Sequence, residues 1–214
     1  MARYLCWPQD EARLRRGLAG WRPARRRGDL PLTMVLAGER CTLHELGPGD
    51  EARLVQAFAG LSQQSVYLRF MRAKQPPTPE QVSFFLDYPR ERQISLLLCD
   101  AGGEPLAQAQ SVRRRLHPDR AEFSCIVADH FQHKGAGRRL LLALAILARG
   151  EGIGEWTAEV LAQNRPMLGL LKGLGLPLTL VTGRELIFVR LDLAALDPLL
   201  AATAVPATPD LEGE

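Results

Sequence analysis

No continuous apolar run in these 214 residues approaches the roughly 20 residues that a membrane span requires, and no charged start is followed by an apolar signal segment. A cytoplasmic protein without a membrane partner is expected. Cysteine is sparse: Cys6, Cys41, Cys99 and Cys125 form no C-x-x-C pair, and three of them sit in strand-like stretches as small hydrophobes. That pattern argues against a disulfide framework and against a zinc site. His44, His117, His130 and His133 are not spaced as a ligand set either, so no metal is expected. Two nucleotide signatures are missing as well. No G-K-[ST] comes after the chain's glycine turn, which excludes a Walker A loop, and G-x-G-x-x-G is absent, which excludes the dinucleotide fingerprint. There is no internal repeat.

Apolar residues make up 46% of the chain, enough for one well-packed domain with tails. The net charge of +3 is divided unevenly. Residues 1–30 hold eight Arg against three acidic groups (+5), and the rest holds 19 Lys or Arg against 21 acidic groups (−2). The expected organisation is an Arg-rich, flexible extension over residues 1–31, one domain over 32–193 and a C-terminal tail over 194–214. Met34 lies close to where the fold is expected to begin, which leaves open a different translation start. The arm, with Arg13-Leu14-Arg15-Arg16 and Arg25-Arg26-Arg27, could touch nucleic acid or an acidic partner. A solvated, partly disordered tail is the expectation ranked first, and nucleic acid is not an expected partner.

Within the domain, 32–37 and 40–46 read as a hairpin around Gly38-Glu39. Asp50 is a plausible N-cap for a helix carrying Leu54, Val55, Phe58 and Leu61 at helical spacing. A shorter helical piece from Ser62 carries Val66, Leu68 and Phe70. Thr78-Pro79-Glu80-Gln81 combines a Thr cap, Pro at the first helical position and a capping-box Gln. Gln93 to Asp100, Pro105 to Arg113 and Ala121 to Ala128 read as a meander. A last hairpin is expected at 178–182 and 185–193.

The chain is organised around Ala121 to Leu147, where an apolar strand passes through a glycine turn directly into an apolar helix expected from Gly137 to Arg149. Gln132, Gly135 and Gly137 space out as Q-x-x-G-x-G. Free N–H groups and the positive end of the helix dipole suit a phosphate, each contact worth roughly 0.3–1 kcal/mol when exposed. Lys134, Arg138 and Arg139 add mobile positive charge. A tight connection needs glycine with or without a ligand, so the turn alone decides little. The next elements are more telling: a strand from Glu155 to Leu161, then Gln163-Asn164-Arg165-Pro166 and another apolar helix ending at Gly173 or Gly175.

That succession, from Ile126-Val127 through Gln132 to Gly137, Trp156 to Leu161, Asn164 and Leu174-Gly175-Leu176, resembles the Gcn5-related N-acetyltransferases (GNAT) over roughly residues 32–192. More narrowly, Leu61-Ser62, Tyr67-Leu68-Arg69-Phe70, Thr78-Pro79-Glu80-Gln81 and Ala121-Glu122-Phe123 are similar to bacterial protein-lysine acetyltransferases. The resemblance implies an α/β (α+β) GNAT fold: a central mixed, mostly antiparallel sheet of about seven strands, flanked by helices and splayed between the fourth and fifth core strands. It implies acetyl-CoA as cosubstrate and a primary amine, a protein lysine foremost, as acceptor. Cys125, Ile126 and Val127 match the strand end that pairs with the pantetheine arm. Gln132, His133, Lys134, Gly135, Ala136, Gly137 and Arg138 match the pyrophosphate loop, and Asn164 matches a contact to the cofactor arm. The helices carrying Tyr67 and Arg69 are expected to border the acceptor side.

Attack on a thioester needs a neutral amine, and a lysine near pKa 10.4 costs about 4 kcal/mol to deprotonate at neutral pH. Glu122 matches the family's general base and stands at the start of the strand leading to the turn. Its bland alternative is a strand-edge carboxylate paired with Arg113 or Arg120. Leu171 is expected where many members carry a tyrosine that protonates the leaving thiolate. Asp129 stands where proline is frequent, with His130 beside it as a fallback base. Two other readings stay open: a small-molecule amine acceptor, and a non-catalytic acyl-CoA-binding regulator.

Overall fold

Period-two and helical apolar patterns resolve, in the computed structural model, into strands β1 (Arg3–Trp7), β2 (Leu32–Leu36), β3 (Glu39–Glu45), β4 (Gln93–Asp100), β5 (Pro105–Arg114), β6 (His117–Val127), β7 (Glu155–Leu161), β8 (Leu178–Thr182) and β9 (Leu186–Asp192). The helices are α1 (Glu11–Leu18), α2 (Glu51–Ala59), α3 (Gln63–Phe70), α4 (Pro79–Leu86), α5 (Ala136–Gly150), α6 (Arg165–Leu174) and α7 (Asp197–Ala202). The structure describes residues 3–18, 26–89 and 91–202. One mixed sheet runs β1-β8-β9-β7-β6-β5-β4-β3-β2, antiparallel at every pair except β6 with β7. Nine strands replace the expected seven or so. The single parallel pair, the fourth and fifth strands counted from β3, lies where the splay is expected.

Helix α5 explains the sheet's inner face. Its residues 140–148 are all buried, because it packs on β4, β5 and β6 on one side and meets α1 and α6 on the other. Trp156 of β7 stacks on Phe123 of β6 with ring centroids 4.9 Å apart, and its indole N–H donates to Ser111 Oγ at 3.0 Å. A smaller cluster of Leu46, Val82, Leu86, Leu97 and Cys99 holds α2 and α4 to the opposite face. The Thr78 cap forms as the sequence implies, with Gln81 completing the capping box. Asp50 does not cap through its side chain: its carboxylate instead accepts from the Gly47 N–H and Arg53.

The expected extension over residues 1–31 is corrected where it is described. Strand β1 pairs with β8, from Arg3 opposite Thr182 to Trp7 opposite Leu178. Helix α1 comes next and buries Leu14 completely, at 0% exposure. Its backbone approaches the end of α6 so closely that a Cβ on Gly175, at φ +89°, would lie 2.8 Å from the Asp10 carbonyl oxygen. Arg13 and Arg15 are not loose charge either, since they pair with Asp10 and Glu11 along the helix. Part of the expected tail is also ordered: Arg149 grips Asp197 with two hydrogen bonds of 2.7 and 2.8 Å, and Leu196 and Leu199 are buried. The remainder of both expected segments, residues 1–2, 19–25 and 203–214, lies outside the described residues.

If α1 is part of the core, Leu14→Ala leaves a cavity and should cost about 2–5 kcal/mol. Thermal or urea unfolding measures this, and a change within about 0.5 kcal/mol, as surface positions give, would show that the segment contributes nothing.

Candidate active site

Strands β6 and β7 share only three residue pairs, ending at Glu122 opposite Thr157. Beyond that point β6 still pairs with β5, through Cys125–Ala109, Ile126–Gln108 and Val127–Ala107, but its other edge faces the gap. Buried backbone donors and acceptors on such an edge need a partner from outside the sheet. The gap is the head of a cleft of about 820 Å³ that runs to the start of α5.

The turn at the far end is built by two left-handed residues, His133 at φ 61° and Gly135 at φ 84°, the second acting as N-cap of α5. Gly135, Ala136 and Gly137 line the cleft, and the first N–H groups of a helix have no carbonyl within it to bond. A Cβ on Gly137 would come within 3.1 Å of Leu170 and 3.4 Å of Val127, so the helix start is seated tightly. Two of the neighbouring positive charges are engaged with protein groups. Lys134 bonds Glu39 at 3.1 Å, and Arg138 donates to the carbonyls of Gly173 at 3.1 Å and Arg13 at 2.9 Å. Burial, then the neighbouring arginines, lowers the Arg138 pKa from its ordinary value.

Gln132 turns inward to bind protein: its amide donates to Ser65 Oγ and the Val127 carbonyl, both at 3.3 Å. Asp129 accepts from the Ser62 N–H at 2.8 Å, Ser62 Oγ at 2.9 Å and Ser65 Oγ at 2.8 Å. Burial works to raise its pKa, but these hydrogen bonds to the charged form outweigh it and hold the carboxyl below its usual range. Asn164 caps α6 by accepting from the Met167 N–H at 3.1 Å, and it lines the cleft too.

Glu122 is exposed on the face of β6 that also carries Ser124, and it lines the cleft. The two arginines offered as its structural partners are engaged elsewhere: Arg120 pairs with Glu155, and Arg113 donates to backbone carbonyls of Glu91, Pro118 and Glu151. Leu171 is fully buried in the core, and Pro166, Met167 and Leu170 are the α6 residues that line the cleft; α6 carries no tyrosine. His130 packs edge-on to Phe131 and is not part of the lining. Sequence reasoning missed Ser124 and Glu159, which also line the cleft, and the role of Asp129. Period-two alternation from Glu122 could have found Ser124; nothing local points to Asp129 as an anchor for α3. Among the described residues no group of three His, Cys, Asp or Glu could hold a metal, and no helix is long and apolar enough to cross a membrane.

A model of the acetyltransferase (GNAT) family matches residues 63–176, more than half of the chain. The chain belongs to that family. It is similar to the acetyltransferase Pat of Mycolicibacterium smegmatis, 29% identical over 142 residues, which is 66% of this chain and 42% of that protein. It therefore spans less than half the length of that relative. Among solved structures it resembles the GNAT domain of S. lividans PAT at a TM-score of 0.69 and 25% identity, over 76% of this chain and 96% of the other. The protein yncA of Salmonella typhimurium, solved with its cofactor acetyl-CoA, shares the fold at a TM-score of 0.58 and 20% identity, over 72% and 94% of the two chains.

The cysteines give a test of the core around this site. Burial pushes Cys125 up to about 12 and Cys99 up to about 11, and raises Cys41 as well, whereas Cys6 on β1 is exposed. Thiolate is the reactive form. A disulfide reagent at pH 8 should therefore label one of the four free thiols rapidly, and all four only after denaturation. Rapid labelling of Cys125 in the native protein would mean that the cleft wall is open where the structure closes it.

Proposed function

We propose that this chain transfers an acetyl group from acetyl-CoA to a primary amine, a protein lysine side chain, by direct attack with Glu122 as general base. The observation that carries the proposal is the position of Glu122, an exposed carboxylate at the last β6–β7 pair, beside the strand edge left open from residue 123 onward. Membership of the acetyltransferase family supports the reaction type, and similarity to proteins named Pat supports the acceptor class.

In this reading the open edge at Cys125, Ile126 and Val127 takes the pantetheine arm, and an N–H there polarises the thioester carbonyl. Gln132 to Arg138 form the phosphate turn, mainly through backbone N–H groups, given that Lys134 and Arg138 are already engaged. Asn164 adds a polar contact from the opposite wall. Glu122 removes a proton from the acceptor ammonium, directly or through water, which offsets the roughly 4 kcal/mol that deprotonation costs near neutral pH. The amine then forms a C–N bond as the C–S bond breaks. A thiol leaving group of pKa near 8.5 departs readily as thiolate, consistent with the lack of a tyrosine on the cleft face of α6. Cys125 is unsuited to an acetyl-enzyme route, because its thiol stays protonated.

Two measurements test the proposal. Replacing Gly137 by leucine pushes against Leu170 and Val127 and should abolish acetyl-CoA binding by calorimetry; a folded variant binding as tightly as wild type would move the cofactor elsewhere. Glu122→Gln should keep cofactor affinity while turnover at pH 7 falls by roughly 10²–10⁴. Part of that loss should return at higher pH, where more acceptor is already neutral. Wild-type turnover by a stable Glu122→Gln variant at pH 7 would remove Glu122 as the base.

A further inference from the structure

One basic side chain on the acceptor side makes no close ion pair among the described residues, the nearest opposing charge being that of Glu122. Arg69 of α3 lines the cleft, and its Nη2 donates to Ser124 Oγ at 2.6 Å. The guanidinium lies 4.8 Å from the centre of the Phe70 ring. Its Nε is buried and has no hydrogen-bond partner among the described residues. Nor does Arg69 take part in any ion pair found among them. Burial works against its charge, with Cys125 and Glu122 acting in the opposite sense. A buried N–H without an acceptor is costly, and more so on a charged group. The side chain is nonetheless preplaced, because α3 is anchored at its start through Ser62 and Ser65 to Asp129.

Charge balance indicates what would satisfy it. Glu122 and Ser124 lie on the same face of β6, so Arg69 sits beside the proposed base. When Glu122 accepts the acceptor's proton it becomes neutral, and the guanidinium then lacks a nearby negative charge. A carboxylate entering the cleft that Arg69 lines would restore the balance, since its two oxygens match the planar fork of an arginine. We infer that Arg69 forms an anion subsite on the acceptor side of the cleft, taking a carboxylate that the acceptor carries close to its reacting amine. For a protein acceptor this is an Asp or Glu side chain adjacent to the target lysine. The inference rests on the amine-acetylating reading above and narrows its acceptor class.

The test compares thiol release from acetyl-CoA with paired peptides that differ only in whether the lysine is flanked by Asp or by Asn. Wild type should favour the Asp peptide in kcat/KM by about tenfold or more, the size expected of a hydrogen bond between charged groups. The preference should fall to about one in Arg69→Met and be partly kept in Arg69→Lys. A ratio of two acceptors on one preparation does not depend on how much of the variant is folded. A ratio near one in wild type, or a full preference kept by Arg69→Met, overturns the Arg69 subsite while rapid peptide turnover leaves the lysine reading standing. Free α-amino acids form a third arm. Their turnover without any peptide turnover, lost in Arg69→Met, would keep the subsite and replace protein lysine by a small acceptor. No thiol release with any acceptor overturns both readings.

Discussion

The structure depends on a strand pair that stops short. A parallel pair of three residues supplies little ladder bonding, so something other than the ladder must keep β6 and β7 together at the closed end and apart at the open one. The closed end is held by side chains: Phe123 stacked on Trp156, with the indole N–H bound to Ser111. An aromatic pair of this kind contributes about 0.5–1.5 kcal/mol beyond its buried area. The open end is held by backbone chirality. Left-handed residues at His133 and Gly135 turn the chain out of β6 and start α5 below it, and the helix, buried over residues 140–148, fixes that direction. The cleft is thus a by-product of packing.

Glu122 gains its position from the same constraint. Being opposite Thr157 in the last pair, it stands where the sheet is still rigid but the next residue's β7-facing edge is open. One residue further along, Phe123 points into the core; two residues further, Ser124 is held by Arg69. Of the positions on this face, Glu122 combines a fixed backbone with solvent access, which is what a group exchanging protons with a solvated amine needs.

Features set by local chemistry are legible in the sequence, and features set by distant contacts are not. The glycine turn and the Thr78 capping box are decided within a few residues, and each forms. Arg138 looks like a phosphate ligand because it adjoins a glycine turn, yet its carbonyl partners on Arg13 and Gly173 lie 125 and 35 residues away. Strand β1 is hidden for a related reason: four of its five residues are exposed, so it shows no apolar alternation, and its partner β8 comes near the other end of the chain. Counting arginines then makes the segment look like a solvated arm.

Asp129 shows how a departure from the family pattern can be read physically. A proline at this place would have no carboxylate to offer Ser62 and Ser65, whereas the aspartate accepts three hydrogen bonds from the start of α3. Gln132 closes the circuit by reaching from the glycine turn to Ser65 and Val127. The turn proposed to hold the cofactor and the helix proposed to border the acceptor therefore share polar atoms. Each such bond contributes about 0.5–1.5 kcal/mol, so neither side can shift by much more than an ångström without giving up several of them together. Placement of Arg69 over Ser124 is then a consequence of the same network that sets the turn, and the two halves of the site are positioned as one unit.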